Sequence, residues 1–469
     1  MTVFTAAAVR AVPLDLLNAV PGDALATVIV ERDPNPPPES GGNAWAALTP
    51  LIGRVGGAPA IVADVANALA ALRPHPWALS LLDAEASDRG AGSYRLARLQ
   101  AALIVRTDGE HAAITRIIQD ILSRWTTRDQ ARITQRTVGP LVVHTLTDAR
   151  LPAWAQIQWG VTGPHGQYYV VTIGAGALAQ VADTLADQAP SLADDEAAGA
   201  LSRAADVPRA RVAWNLRLAA VRDRLGPVMS GKPQRVLAAL ELGDADDAWW
   251  SVRRDGRALV VTLARRRGAK IRVIPISQAL AADSPWQGAL PDTARGYGFV
   301  PHGLQQIAPR AVQAWLASRR PRVRENVTAA WDAFEREAGV SIRQDLLAAL
   351  GDGILVHDFP QHPANLPLAV TIMLPIEGAP DRVRTALDAL LTQCAVWMGP
   401  ADEASEAGLS AAFRPTLARL PDGVWTLRIG FDGPAVIVHD RWVILGYAPW
   451  AVRQNTALLD SAGKDAPQP

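Results

Sequence analysis

Cysteine and long apolar runs are almost absent from this chain of 469 residues. Cys394 is the single cysteine, so the chain cannot form an intramolecular disulfide, a Cys-x-x-Cys redox pair or a cysteine-based zinc site. No stretch of about 18 apolar residues occurs, which predicts that the chain has no transmembrane helix. Met1–Val12 lack the basic start of a secretory signal, and we therefore expect no export signal in the sequence as it stands.

Charge of one sign is not in excess either, because 46 basic and 46 acidic residues give a formal net charge of zero. Such a chain has no global field to attract a polyanion. Two local basic patches, at Arg265–Arg272 and Arg319–Arg324, are predicted to be solvated faces or protein contacts, since aromatic residues are poorly interleaved with them. We expect no nucleic-acid partner.

Catalytic motifs with a known mechanism are missing as well. The sequence contains no H-E-x-x-H, no G-x-S-x-G nucleophile turn, no Walker A loop and no EF-hand. The acidic clusters Asp194–Glu196 and Asp244–Asp247 offer oxygen ligands without the rest of a calcium loop, so both are predicted to be solvated loops. We assign no catalytic residue and no cofactor.

What the sequence does contain is one pattern that occurs twice. A segment from about Val20 to Leu185 is echoed, in the same order, by a segment from about Leu290 to Leu459. An internal repeat indicates the architecture of a protein but does not indicate which reaction, if any, it catalyses. Four pairs of matching features carry the echo: an opening turn (Val20–Ala24, Leu290–Ala294), a Leu-Ala-Ala-Leu step (Leu69–Leu72, Leu347–Leu350), a helix with identical apolar spacing (Ile114–Leu122, Val383–Leu391), and a strand that ends in glycine (Tyr169–Gly174, Trp442–Gly446).

The alternation of apolar and polar residues predicts an α+β fold with mixed or antiparallel sheets, in which each repeat has the order strand, helix, strand, strand, helix. We predict a first repeat module at 1–185, a small middle α+β unit at 206–275, a second repeat module at 286–460 and a disordered tail at 461–469. The middle unit carries the pair of β-prone runs Ala248–Arg253 and Ala258–Ala264, joined across Asp255-Gly256, which predicts a β-hairpin. Residues 33–42 and 186–205 are predicted to be a loop and an acidic connector.

One motif resembles a nucleotide site. Gly174 and Gly176 follow the strand Tyr169–Ile173 and precede a helix, which matches G-x-G-x-x-A in spacing and context. Glycines at these positions let backbone amides approach a pyrophosphate. No second strand with an acidic ribose-binding residue follows, so a tight strand-to-helix turn is the favoured interpretation and a dinucleotide site the alternative.

A second motif concerns metals. His357, Asp358 and His362 could supply two imidazoles and a carboxylate at the end of a strand, a sensible set for a divalent metal. The residues between them, with Pro360 and Pro363, predict a loop, which does not guarantee that the three side chains converge. Ordinary loop polarity is the favoured interpretation, and a metal site the alternative.

Fifteen tryptophans against six phenylalanines provide a third signal. Their rings are predicted to fill the layers between helices and sheets, or alternatively to line an apolar groove, because tryptophan suits sites with one wet edge. The tryptophans considered for such a groove are Trp154, Trp159, Trp249, Trp250, Trp442 and Trp450.

The run Trp331–Gly353 combines a helix, an Ala-Gly turn, Asp-Leu-Leu and a Leu-Gly step. It resembles a recurrent motif of an uncharacterised bacterial family, the domain-of-unknown-function family numbered 3352, and Val20–Val30 and the order of the modules are similar too. The resemblance implies an exported or cell-envelope protein, although this chain lacks the leader that such members commonly carry. It transfers no catalytic residue.

These observations leave three functional hypotheses open. The first is a non-catalytic protein that acts by binding or by structure, with a protein partner. The second is a carrier of an apolar small molecule or lipid held between the repeats. The third is a hydrolase with an unrecognised metal site, for which His357, Asp358 and His362 are the candidates.

Overall fold

Antiparallel strands backed by helices recur in two compact units of the chain. The computed structural model describes residues 14–31, 71–72, 74–90, 93–126, 131–138, 141–152, 154–229, 232–239, 242–317, 319–360, 370–398, 415–428 and 432–462. The first unit contains the described residues of 1–254 and 261–275, and the second contains those of 255–260 and 276–469. Each unit has its own buried core.

The first unit begins with a short helix and builds its sheet from strands on both sides of a longer helix. Its elements in chain order are α1 (Leu14–Ala19), β1 (Ala26–Val30), β2 (Trp77–Gly90), β3 (Ser93–Arg106), α2 (Ala112–Thr126), β4 (Ala131–Val138), β5 (Leu141–Asp148), β6 (Ile157–Thr162), β7 (Tyr168–Ile173), α3 (Ala177–Leu185), α4 (Glu196–Ala204), β8 (Val212–Leu216), α5 (Leu218–Met229), α6 (Lys232–Ala239), β9 (Asp247–Asp255), β10 (Ala258–Arg267) and β11 (Lys270–Ser277). The last two strands cross the boundary between the units.

The pairing of these strands is antiparallel and mostly between neighbours in sequence. Strand β1 pairs with β2, and β2 pairs with β3. Strands β4, β5, β6 and β7 form a meander. The pairing of β3 with β7, from Ala101 opposite Ile173 to Arg106 opposite Tyr168, joins the meander to the first strands.

Alternation along β3 divides the core of the first unit into two layers. Ile104 is fully buried in one cluster with Val170 and Leu178, whereas Val105 is fully buried in another cluster with Ile114. Successive side chains of a strand point to opposite faces, so one layer lies against α3 and the other against α2. The sheet is therefore apolar on both faces and covered by helices on each.

The middle segment adds strands to the sheet of the first unit. Strand β8 pairs with β1 over five residues, and β9 pairs with β8. The predicted separate unit at 206–275 thus shares a core with the first module, where Trp249 is fully buried. The predicted hairpin is present: β9 and β10 pair, and Gly256 between them has a φ of 56°, in the left-handed region that glycine adopts without strain.

The acidic connector at 186–205 is more ordered than its composition indicated. It contains α4, whose first turn is capped by the Asp195 carboxylate, which accepts hydrogen bonds from the backbone N–H groups of Ala197 and Ala198. Leu201 on this helix is fully buried in the main core of the unit. An N-terminal Asp lowers the energy of the helix end by supplying an acceptor and a negative charge.

The second unit has a similar order of elements. They are β12 (Tyr297–Val300), α7 (Leu304–Ala317), α8 (Pro321–Ala338), β13 (Ile354–His357), β14 (Thr371–Pro375), α9 (Pro380–Met398), β15 (Thr416–Arg419), β16 (Trp425–Arg428), β17 (Asp432–His439), β18 (Trp442–Gly446) and α10 (Pro449–Ala462). A π-helical turn at Ile342–Leu346 and a 3-10 turn at Leu347–Ala349 precede β13.

Strand pairing in the second unit follows the pairing of the first position by position. Strand β12 pairs with β13, β13 with β14, and β14 with β18, while β15 to β18 form a meander, all antiparallel. Neighbouring strands of the second sheet are thus β12, β13, β14, β18, β17, β16 and β15. The first module has the corresponding order β1, β2, β3, β7, β6, β5 and β4. A parallel contact between Ala258 of β10 and Tyr297 of β12 makes the sheet mixed.

The predicted α+β class with mixed or antiparallel sheets is confirmed. The predicted order of each repeat omitted three strands, β4 to β6 in the first module and β15 to β17 in the second. Strand β4 is exposed along most of its length, and its polar run Thr134–Thr137 shows no alternation that the sequence could reveal. Helix α10 extends to Ala462; residues 463–469 and the predicted loop at 33–42 lie outside the described residues.

The pairing of β3 with β7 yields a stability prediction. Ile104 lies opposite Val170 and is fully buried, so Ile104→Ala is expected to lower the free energy of unfolding by about 2–5 kcal/mol. Leu79→Ala, on neighbouring β2 but 48% exposed, is expected to change it by only about 0.5 kcal/mol. Urea unfolding of both variants measures the difference. Equal losses in the two variants would contradict the two-layer core.

Candidate functional site

The strand-to-helix turn at Gly174–Gly176 is a steric necessity of the fold. Gly174 has a φ of 107°, and a Cβ there would lie 2.3 Å from the carbonyl oxygen of Leu99 on β3. Gly176 begins α3 with a φ of 83°. The turn is held by the N–H of Gly174, which donates to the carbonyl of Gln156, and by the Gln100 side chain, which donates to the carbonyl of Ala175. These contacts account for both glycines without a nucleotide.

The candidate metal ligands are engaged in the protein itself. His357 is 1% exposed, its Nδ1 accepts a hydrogen bond from the N–H of Phe359, and its Nε2 lies 3.4 Å from the Met373 sulfur. Asp358 accepts from the N–H groups of Arg295 and Gly296. His362 lies outside the described residues. Within the described ranges no group of three or more His, Cys, Asp or Glu side chains is placed to hold a metal ion.

The tryptophans considered for a groove fall into different places. Trp249 is fully buried in the core of the first unit, and Trp442 packs edge-on against Trp286 in the second, with ring centroids 4.9 Å apart. Trp450 is partly exposed and contacts the ring of Tyr447. Trp159 is the member of the set that lines a cavity. The sequence could not separate these roles, because burial of a tryptophan depends on which strand lies beside it.

That cavity, of about 610 Å³, lies in the first unit between α2 and the face of the sheet formed by β5, β6 and β7. We call it the ring-lined cavity. Its described lining residues are His111, Thr115, Gln119, Leu141, Val142, His144, Trp159, Gly160, Val161, Thr162, Gly163, His165, Gly166 and Tyr169.

Regular secondary structure explains why these side chains meet. His111, Thr115 and Gln119 are four residues apart, so they form one stripe along the start of α2. Strand register places His144 of β5 opposite Trp159 of β6, and Val161 of β6 opposite Tyr169 of β7. The cavity is thus bounded by one helix stripe and one face of three strands.

Aromatic rings form much of the wall. The imidazole of His144 stacks on the indole of Trp159, with centroids 5.3 Å apart and planes 11° from parallel. His111 stacks on Tyr169 at 6.3 Å and 21°. Among the described residues no carboxylate, guanidinium or ammonium group lines the cavity. Flat walls of this kind suit a flat guest.

Three buried polar atoms of the wall lack a hydrogen bond within the described chain: His111 Nδ1, Thr115 Oγ1 and the Tyr169 hydroxyl. Burial raises the pKa of Tyr169, and the nearby Thr115 hydroxyl offsets part of that rise. The two hydroxyls are therefore close, but they do not form a well-aligned bond with each other. All three atoms have almost no accessible surface, so they lie behind the cavity wall and present no hydrogen-bonding group to a guest.

A longer hairpin distinguishes this region from its counterpart in the second unit. Five residues, Gly163–Gln167, connect the last pair of β6 and β7, and they supply His165 and Gly166 to the wall. In the second unit two residues connect β17 to β18, since His439 lies opposite Trp442. There Val438 and Val443 are buried beside Val383 of α9.

The opposite face of the same strands borders a second cavity, of about 710 Å³, beneath α3. Leu141, Leu178 and Leu185 provide apolar wall, Gly176 lies at one end, and Arg136 and Asp183 bring opposite charges to its rim. Its described lining contains no aromatic ring. The ring-lined cavity is therefore the stronger candidate site for a flat guest.

Comparisons with known proteins give little likeness. No protein-family model matches the chain, and no curated protein matches it. Among solved structures, crystal form III of TP0453 is 12% identical with a TM-score of 0.27, covering 55% of this chain and 81% of that chain. Crystal form I of TP0453 is 10% identical with a TM-score of 0.26, covering 54% and 79%. Scores this low do not establish a shared fold.

No described helix is long and apolar enough to cross a lipid bilayer. This agrees with the expectation from the sequence.

The glycine turn yields a second prediction. Gly174→Ala is expected to lower the free energy of unfolding by about 3 kcal/mol, because its Cβ would meet the Leu99 carbonyl and the left-handed φ is strained. Gly176→Ala, whose Cβ would lie 3.7 Å from its nearest neighbour, is expected to cost about 1 kcal/mol from its φ alone. Thermal or urea unfolding distinguishes the two. A larger cost at Gly176 would favour a role other than the turn.

The buried imidazole yields a third prediction, on pH. Burial lowers the pKa of His357 from 6.5 to about 4, so the unfolded chain binds a proton before the folded chain does. The contribution of neutral His357 to the free energy of unfolding is complete above pH 6.5. It is lost as pH falls toward 4, where the loss is on the order of 3 kcal/mol. Asn at this position cannot titrate and can still accept from Phe359. Urea unfolding at pH values across this window should therefore show a shallower pH slope for His357→Asn.

The control for this experiment is His302→Asn at an exposed position. It is expected to keep the pH slope of the unaltered chain. An unchanged slope in His357→Asn would show that other groups govern the loss of stability in acid.

Proposed function

We propose that this chain is a non-catalytic binding protein whose first module holds a small ligand with a planar ring in the ring-lined cavity. The observation that carries the proposal is the pair of stacked rings in the wall of one cavity, His144 on Trp159 and His111 on Tyr169. Its volume of about 610 Å³ lies in the usual range for small-molecule sites.

The chemistry of the wall limits the ligand. Stacked rings at Trp159 and His144 favour a flat guest. The described lining has no carboxylate, so a cationic guest moved there from water would lack a partner.

Two other hypotheses have less support. A carrier with its ligand between the repeats would use an apolar groove, yet Trp249 and Trp442 pack inside cores. A hydrolase built on His357 and Asp358 would need them accessible, yet both side chains are bound to backbone groups of the chain. The favoured hypothesis therefore places ligand binding in the first module.

We also propose that the two modules are an internal duplication and that the chain belongs to the family numbered 3352. The shared pairing order of fourteen strands supports the first proposal. The run Trp331–Gly353, which forms the end of α8 and the turns before β13, carries the second. An exported or cell-envelope location follows only from that resemblance.

The test begins with native mass spectrometry of the full chain purified from its own cells without denaturation. We expect excess mass that organic solvent releases. Val161→Phe, which adds a ring inside the cavity, should abolish the excess, whereas Thr134→Phe on the exposed part of β4 should keep it. A bare polypeptide that also fails to bind indole, an uncharged planar probe with one N–H donor, would contradict the proposal.

The fourth prediction concerns the hydroxyl of Tyr169. Tyr169→Phe is expected to leave the unliganded chain as stable as before or more so, because the hydroxyl has no well-formed bond to lose. Affinity for the released ligand, or for indole, is expected to stay the same, because the phenyl ring is kept and the hydroxyl has almost no surface that a guest could reach. Calorimetric titration measures the affinity. A large loss of affinity would contradict this placement of the hydroxyl behind the cavity wall.

A further inference from the structure

Two helices of the second unit leave apolar side chains in water. Helix α7 buries one residue, Ala314, and α8 buries none of its eighteen. We call α7 and α8 together the helical arm. Its large apolar residues are substantially exposed: Val312 41%, Trp315 45%, Val323 41% and Trp331 43%. Exposed apolar residues that gather on one element mark an interaction surface more often than single scattered ones do.

Positive charge collects at the joint between the two helices. Between Pro301 and Arg324 the sequence has five arginines and no acidic residue, whereas Glu325, Asp332, Glu335 and Glu337 follow along α8. Arg320, Arg322 and Arg324 are exposed, and no carboxylate in the described part of the chain pairs with them. Arg319 lies over the indole of Trp315, 4.6 Å from its centroid. The joint between the two helices is therefore both cationic and aromatic.

Two of the four acidic side chains of α8 are engaged within the second unit. Glu335 accepts hydrogen bonds from the Trp331 indole and from the N–H of Ile342. Glu337 accepts from Gln393 and from the indole of Trp397. The bonds of Glu337 hold the far end of the arm against α9 of its own unit.

We propose that the basic end of the helical arm docks on an anionic lipid surface. Anionic headgroups complement the arginines, while the interfacial region accepts Trp315, Trp331, Val312 and Val323, since tryptophan prefers a place with one apolar and one wet side. Clustered arginines near a charged bilayer add attraction that is roughly additive and falls off with salt. The contact is peripheral and belongs to the second unit, so it is independent of the ring-lined cavity.

Other occupants fit the arm less well. A nucleic acid would neutralise the arginines but leave Val312 and Val323 in water. A second copy of this chain would bring five more arginines against these five. An acidic peptide would neutralise the arginines but, like a nucleic acid, would leave Val312 and Val323 in water.

The test is co-sedimentation of the full chain with vesicles. We expect binding to vesicles of equimolar phosphatidylglycerol and phosphatidylcholine, weak or no binding to phosphatidylcholine alone, and loss of binding as salt rises. The triple variant Arg320→Gln, Arg322→Gln and Arg324→Gln is expected to bind the anionic vesicles on the order of 100-fold more weakly, at roughly fivefold for each arginine. The matched control replaces three exposed arginines of the first unit, Arg95, Arg132 and Arg254, with Gln and is expected to bind as the unaltered chain does.

A second readout tests entry of the indoles into the bilayer interface. Brominated phosphatidylglycerol should quench tryptophan fluorescence of the bound chain, and the pair Trp315→Phe with Trp331→Phe should lose most of that quenching. Trp450→Phe, another exposed position of the second unit, should retain it. These variants keep an apolar ring and so keep the fold.

Three outcomes would overturn the proposal. They are absence of binding to the anionic vesicles, equal binding by the triple arginine variant and its control, and binding that an excess of a DNA oligonucleotide displaces without any lipid quenching. The last outcome would show that the arm binds a polyanion such as a nucleic acid rather than a lipid surface. A stable dimer that the arginine variants abolish would assign it to a second copy instead.

Discussion

The antiparallel pairing of β3 with β7 is the contact on which the first unit depends. It joins the hairpin of β2 and β3 to the meander of β4 to β7, two segments that are otherwise connected through α2. Its register decides the face of every side chain in the meander, since a slip of one residue would exchange the two faces. Tyr169 then faces α2 and Val170 faces α3. The pairing of β14 with β18 has the same place in the second unit.

Within this shared scaffold the two modules differ at their hairpins and last helices. The first module has a five-residue connection between β6 and β7 and a nine-residue α3, whereas the second has a two-residue connection and a fourteen-residue α10. A long connection and a short helix leave more space beside the sheet than their counterparts do. In the second module, Trp425 and Val438 occupy the layer between α9 and the meander. Trp425 donates a hydrogen bond to Asp388 of α9. Cavities therefore border both faces of the first meander.

Charged side chains are distributed unevenly along the chain. In the first unit arginines pair with carboxylates that are largely buried, as Arg224 does with Asp83 and Arg266 with Asp247. The acidic clusters that resembled calcium ligands serve this pairing and the capping of α4. A formal charge of zero thus describes a chain in which many charges are matched locally and a cationic stretch, Pro301–Arg324, is not. Net charge alone predicts nothing about such a patch, because the field near a surface depends on charges within about 10 Å.

The amino-acid sequence by itself determined the α+β class, the two matching segments, the hairpin at Asp255-Gly256 and the turn at Gly174, because each depends on local periodicity or on a backbone angle that glycine adopts. It missed the exposed strand β4, which lacks alternation. It left a metal site at His357, Asp358 and His362 as an alternative to loop polarity, since a sequence does not show that Met373 and the N–H groups of Arg295 and Phe359 lie beside the first two. Only tertiary structure decided that Trp159 lines a cavity and brought His111, the residue before α2, against Tyr169 of β7. The reason is physical: these residues are far apart in the chain, and the register of long-range strand pairs, not local propensity, sets which side chains meet.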